Sequence, residues 1–339
     1  MPRTAVVLMN LGGPDSLDAV EPFLTALFSD PAIIRLPWPL RLPLARLIAR
    51  GRAGTARDIY ARLGGGSPLL ANTEAQAQAL DAALGLEFRS FVAMRYWHPT
   101  SAETVRAVAE WDPDEIVCLP LYPQFSTTTT GSSLAAWKRA AAQSGLERPT
   151  RAICCYPTES GFVNATAGLI GSALDQAAGL AKPPRLLLTA HGLPKKIVNA
   201  GDPYPRHVEM TARAVVAALG RPGLDWLVCY QSRVGPLEWI GPATDAEIRR
   251  AGAEGVPLVV APVSFVSEHS ETLVELDLDY RRIADESCVP AYLRVATVGI
   301  EPGFIAALAA LVRRAVAVPN AVECAAVAGD VCPLLGAPA

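Results

Sequence analysis

Short runs of apolar residues alternate with longer stretches of helical period along most of this chain. The runs cover residues 5–9, 90–94, 116–121, 185–189, 226–230, 256–262 and 291–295. They are continuous, without polar residues at every second place. That is the pattern of strands buried on both faces of a parallel sheet. The helical stretches between them predict crossover units and doubly wound sheets, so the predicted fold class is α/β.

The pattern also repeats. A strand followed by Asn10-Leu11-Gly12-Gly13-Pro14 is matched by one followed by Ala190-His191-Gly192-Leu193-Pro194. A strand ending in Arg95-Tyr96-Trp97-His98-Pro99 is matched by Tyr230-Gln231-Ser232-Arg233-Val234-Gly235-Pro236. Pro120-Leu121-Tyr122-Pro123-Gln124-Phe125-Ser126 is matched by Pro262-Val263-Ser264-Phe265-Val266-Ser267. Three matches in one order predict two similar domains, residues 1–160 and 161–315, followed by a tail at 316–339 that holds two cysteines. The distinctive residues all follow strands. Ligands of open α/β sheets bind at the carboxyl ends of strands, so the expected site is one cleft lined by loops of both halves.

Composition narrows the function class. Hydrophobic residues are 51% and charged residues 19% of 339, an ordinary globular balance. A net charge of −3 offers no basic excess to neutralise phosphates, so nucleic acid is not an expected partner. No apolar run approaches the roughly 18–20 residues that span a bilayer. The apolar run at 5–9 is too short for a signal segment, so a cytoplasmic enzyme is expected. Seven cysteines in this length do not make a disulfide scaffold.

Four histidines are present: His98, His191, His207 and His269. His191 follows a strand in a loop flanked by Gly and Pro. His269 opens an acidic segment with Glu268, Glu271, Glu275 and Asp279. Spacings of four place Glu271, Glu275 and Asp279 on one helix face, where like charges repel by a few tenths of a kcal/mol per pair. A solvated face beside Leu273, Val274, Leu276 and Leu278 is the ordinary reading of such a row. A row that follows a buried strand and a histidine favours moving cations or protons. The turn at Gly64-Gly65-Gly66-Ser67-Pro68 lacks the Lys-Ser/Thr of a P-loop, and residues 10–14 are not GxGxxG. The hydroxyl-rich stretch 126–133 suits a helix cap, with or without an anion at the helix N-terminus. Residues 36–52 interleave Leu and Arg, which suits an interfacial helix or pocket lip as well as a packed helix. No GxSxG, HExxH or close CxxC pair appears.

Taken together, these pieces closely resemble ferrochelatases, which insert ferrous iron into a porphyrin at the last step of haem synthesis. The resemblance is carried by MNLGGPD (9–15), YARLGGGSP (60–68), MRYWHP (94–99), YPQFS (122–126) with TGSS (130–133), AHGLP (190–194), YQSRVGP (230–236) and FVSEHSETL (265–273). It implies two Rossmann-like domains around a cleft for protoporphyrin IX, with Fe²⁺ as co-substrate. It implies that His191 binds metal or takes pyrrole protons, that Glu271 is its carboxylate partner, and that Glu275 and Asp279 extend an acidic path for iron or protons. It implies porphyrin contacts from Leu11, Arg52, Tyr60, Ser67, Arg95, Tyr96, Trp239 and Phe265. It makes residues 36–52 the pocket lip, which in the family also meets the membrane. Gly51 stands where some relatives carry a second arginine of an Arg-Arg pair, leaving Arg52 alone.

The chemistry agrees with this reading. A neutral imidazole serves near pH 7 as base or ligand, and a nearby carboxylate raises its basicity. Few, weak ligands suit a metal that must be released. A chelatase for another tetrapyrrole or metal, and a carrier without catalysis, are the competing readings; a carrier has no use for the acidic row. Cys118, Cys229 and Cys288 are expected as buried structural residues in or beside strands. Some family members hold a [2Fe–2S] cluster, which requires four thiolates. Cys154, Cys155, Cys324 and Cys332 are the candidates here, with a cluster-free tail as the alternative. Thr127 replaces the internal ligand of animal enzymes. Monomer and homodimer both stay open.

Overall fold

The computed structural model describes residues 2–233, 235, 237–317 and 322–323. Nine strands are described: β1 (Thr4–Asn10), β2 (Phe88–Met94), β3 (Glu115–Pro120), β4 (Thr150–Ile153), β5 (Arg185–His191), β6 (Trp226–Gln231), β7 (Leu258–Pro262), β8 (Tyr292–Arg294) and the two-residue β9 (Val322–Glu323). They form two sheets, ordered β2-β1-β3-β4-β9 and β6-β5-β7-β8, in which every pairing is parallel. Four strands of each sheet thus follow one order, the second-first-third-fourth of their own half. The repeat seen in the sequence is a repeat of topology.

The chain divides into two compact units, Met1–Cys155 with the chain from Leu308 on, and Tyr156–Ala307. The second change of unit falls inside the helix Pro302–Ala317.

In the second unit β5 is central and covered on both faces, which explains its unbroken apolar run. Leu186, Leu188 and Ala190 pack against Ile170, Val208, Ala212 and Val215 from the helices Ser160–Gln176 and Tyr204–Leu219. Leu187 packs on the opposite face with Ile248, Leu276, Tyr280 and Ile283. In the first unit β1 is central, with all seven residues buried. Ala5, Val7 and Met9 meet Val105, Val108 and Trp137 of the helices Ser101–Trp111 and Ser132–Ser144. The first of these helices starts on a reciprocal cap, with Thr100 and Glu103 each bonding the other's backbone N–H.

Three local features differ from expectation. β4 is not among the predicted runs, because Thr-Arg-Ala-Ile offers too little apolar pattern. The acidic segment Glu271–Asp279 winds as a π-helix of nine residues, not as an α-helix. Cys288 is exposed, not buried; it sits at φ 56° in a turn just beyond the helix Tyr280–Glu286 and outside any strand.

Candidate functional site

β5 carries the chain to His191, whose backbone N–H donates to Ser264 Oγ at 3.3 Å. The next residue, Gly192, is closely packed. A Cβ on Gly192 would lie 3.0 Å from Gln231 O and 3.3 Å from Cε3 of Trp239. Its absence lets the loop pass beneath the Trp239 ring, whose buried indole N–H has no partner among the described residues. Phe265 stands edge-on to two imidazoles, with centroids 6.5 Å from His191 and 4.5 Å from His269.

His269, left without a role by the sequence, is central here. It is 7% exposed. Its Nδ1 lies 3.0 Å from Ser267 O, and its Nε2 lies 3.1 Å from Glu271 Oε2. A carbonyl oxygen only accepts, so Nδ1 bears a hydrogen. A bare Nε2 would then point a lone pair at a carboxylate, so a proton lies between Nε2 and Oε2. Ser270 Oγ donates to the same oxygen at 2.7 Å. Burial pushes the Glu271 carboxyl up, but the facing His269 and His191 and the Ser270 bond outweigh it and hold the group below its ordinary range.

Glu275 is anchored. Oε1 accepts from Ser232 N at 2.8 Å and from Tyr280 Oη at 3.0 Å; Oε2 accepts from Gln231 Nε2 at 3.0 Å and from Ser232 Oγ at 2.5 Å. Ser232 holds φ 61°, a left-handed conformation that these bonds support. Burial and the adjacent carboxylate keep the Tyr280 phenol protonated, far above its ordinary range. Glu275 also lines a cavity of about 430 Å³ with Tyr230, Arg233, Trp239, Asp245 and Tyr280. Asp279 ends the π-helix, partly exposed. Among the described residues no three His, Cys, Asp or Glu side chains gather closely enough to cage a metal.

The first unit gathers a second group. Leu11, Tyr60 and Tyr96 share one apolar cluster with Phe28 and Trp97. Arg52 lies with its guanidinium carbon 5.6 Å from the Phe28 ring centroid. Ser67 occupies the space a side chain on Gly13 would need, 2.5 Å from the position of its Cβ. Arg95 is 14% exposed and mostly committed: Nη2 donates to Asp30 Oδ2 and Nε to Ser132 Oγ, both at 2.6 Å. Asp30, which no motif singled out, also accepts from Tyr96 Oη at 2.8 Å, from Ala32 N at 2.8 Å and from Ser132 Oγ. Burial raises its pKa, and these bonds with Arg95 more than reverse the effect. Ser126 acts as a cap, accepting from Thr128 N at 3.1 Å. Cys154 and Cys155 are fully buried after β4, whereas Cys324 and Cys332 lie outside the described residues.

Known proteins supply the context. Residues 3–316 match the family model described as Ferrochelatase. A protein of Caulobacter vibrioides named Ferrochelatase is 55% identical over 319 residues, 93% of this chain and 90% of that one. One of the same name from Phenylobacterium zucineum is 56% identical over 312 residues, 91% and 90% of the two chains. Among solved structures, SirB from Bacillus subtilis with Fe³⁺ superposes with a TM-score of 0.55 at 11% identity, over 92% of this chain and 95% of that one, a likeness of fold alone.

Proposed function

Because the chain belongs to the ferrochelatase family, we propose that His191 and the His269–Glu271 pair perform the proton and metal exchange by which it makes haem. The enzyme inserts Fe²⁺ into protoporphyrin IX, the terminal step of haem synthesis, and two pyrrole protons leave. His191 is the base that takes a pyrrole proton, or a transient iron ligand before transfer. Glu271 balances the charge that gathers on the imidazoles. The observation that carries this assignment is the 3.1 Å contact between His269 Nε2 and Glu271 Oε2 beside Phe265. Such a pair passes a proton on without building a full charge in a low-dielectric pocket. Iron meets His191, Glu271, Glu275 and Asp279 in turn, which suits a metal that is cargo.

In the first unit the apolar cluster of Leu11, Tyr60 and Tyr96 serves porphyrin binding; in the second, Trp239 and Phe265 offer ring faces, and the Trp239 indole N–H has no partner among the described residues. Arg52 and Ser67 are the polar contacts for the propionates. Arg95 serves less through direct contact than by fixing Tyr96 through Asp30. An anaerobic assay of the purified protein with Fe²⁺ and protoporphyrin IX tests the activity: protohaem must form.

The protein works from the cytoplasm, as monomer or homodimer, against a lipid surface. Trp38, Leu40 and Leu47 of the helix Trp38–Arg62 are 67%, 62% and 70% exposed, and Arg41, Arg46, Arg50 and Arg52 share that helix. Exposed apolar side chains among arginines fit an anionic membrane surface. No helix among the described residues is long and apolar enough to cross a membrane.

A four-thiolate cluster fits the cysteines poorly. Adjacent cysteines are awkward as joint ligands of one cluster, so it takes only one of Cys154 and Cys155. With Cys324 and Cys332 that makes three thiolates, one short. No step above passes through a cluster. Reconstitution with iron and sulfide checks this: no [2Fe–2S] absorption is expected, and bands lost in Cys332→Ser would overturn it.

A further inference from the structure

Arg294, the last residue of β8, belongs to none of the motifs above, yet its guanidinium holds the acidic segment at two places. It is 12% exposed. Nε meets Asp277 Oδ1 at 2.7 Å and Nη2 meets Asp277 Oδ2 at 2.5 Å, a two-pronged grip. Nη1 meets Glu268 Oε1 at 2.6 Å, and that oxygen also accepts from Thr297 N at 2.9 Å. Glu268 directly precedes His269, and Asp277 lies near the end of the π-helix. His269, Glu271 and Glu275 all fall between the two tethers. The same strand adds a third tie, from Tyr292 Oη to Leu276 O at 2.8 Å.

The segment requires such ties. A π-helix is a rare arrangement, seen mostly as single turns within α-helices. Nine residues wound this way revert to α-geometry unless contacts from outside hold them. A slip of one residue turns the side chains beyond it by roughly 100° about the helix axis. Glu271 would then leave His269. Arginine suits the task because its planar fork matches two carboxylates at fixed angles, which a lysine ammonium does not.

We propose that Arg294 is a positioning residue for iron insertion, clamping Glu268 and Asp277 so that the π-helix presents Glu271 to His269 and His191. This rests on Glu271 being the working carboxylate. Arg294→Met, Arg294→Lys and Asp277→Asn are compared with the wild type and with Glu271→Gln for kcat, for the KM of porphyrin and for thermal unfolding. Displacement of a catalytic group by about 1 Å costs on the order of 100-fold. In Arg294→Met and Asp277→Asn, kcat therefore falls at least about tenfold with the porphyrin KM within about twofold. Arg294→Lys lies between them and the wild type, and the Arg294→Met/Asp277→Asn double variant is no worse than the poorer single one. Should Arg294→Met not fold, Arg294→Lys and Asp277→Asn decide. Wild-type kcat in both, or a loss matching only the unfolded fraction, overturns the clamp. An inactive Glu271→Gln beside fully active clamp variants sinks the clamp alone, whereas a fully active Glu271→Gln sinks the site assignment and the clamp with it.

Discussion

Replacing Glu275 by Gln tests whether the acidic row is a loose chain of carboxylates or a built framework. The carboxylate accepts from four donors, two on each oxygen. Glutamine keeps one accepting oxygen and puts an amide N–H₂ in place of the other. If the amide takes the Oε1 place it faces Ser232 N–H. If it takes the Oε2 place it faces the amide of Gln231, whose own oxygen is committed to Thr189 Oγ1 at 3.0 Å. Either way one donor is left facing a donor, and the remaining bonds lose their charge. A hydrogen bond to a charged group contributes about 1.5–3 kcal/mol net, so the loss is about 2 kcal/mol. For a unit of this size that lowers Tm by about 4–8 °C. Calorimetry on Glu275→Gln and the wild type at one pH reads it directly. A Tm within about 1 °C of the wild type would mean that the four bonds are not made and that Glu275 is a free carboxylate.

Two further outcomes follow from other parts of the fold. Asp30 has a lowered folded pKa, so its stabilisation is present above the unfolded value of about 3.9 and is lost as pH falls through the folded value. Urea midpoints measured between about pH 2.5 and 6 should therefore drop in acid for the wild type and drop less for Asp30→Asn; equal slopes would show that Asp30 is not the group involved. On the membrane-facing helix, Trp38→Ala with Leu47→Ser should abolish flotation with anionic vesicles while leaving turnover in detergent unchanged, and undiminished flotation would reject this face as the contact.

The sheets were legible because β1 and β5 are buried on both faces, and such strands write continuous apolar runs into the chain. The parallel order followed from the helical spacers, and the duplication from three matched strand ends. β4 was silent because a four-residue strand of Thr, Arg, Ala and Ile carries no such run. At the site, His191 and Glu271 stood out by place and type. The link between His269 and Glu271 did not, because a contact two residues apart depends on the turn of the backbone. The anchoring of Glu275 by Tyr280 was hidden for a related reason: a contact five residues apart is foreign to the α-helical spacing by which the row was read. Asp30 and Arg294 left no local trace, since their partners lie 65 and 66, or 17 and 26, residues away. The exposed Cys288 shows the converse, a residue beside a predicted strand that the chain places on a turn.

The central claim is that His191 and the proton-sharing Glu271 move the protons and iron, and turnover of single variants under anaerobic conditions addresses it most directly. General acid–base groups contribute about 10²–10⁴-fold. Wild-type protein given Fe²⁺ and protoporphyrin IX should form protohaem, and His191→Ala and Glu271→Gln should each lose at least about 100-fold in kcat while unfolding as cooperatively as the wild type. Turnover within about threefold of the wild type in either variant would contradict the role given to that residue, and no protohaem from the wild type would contradict the account as a whole.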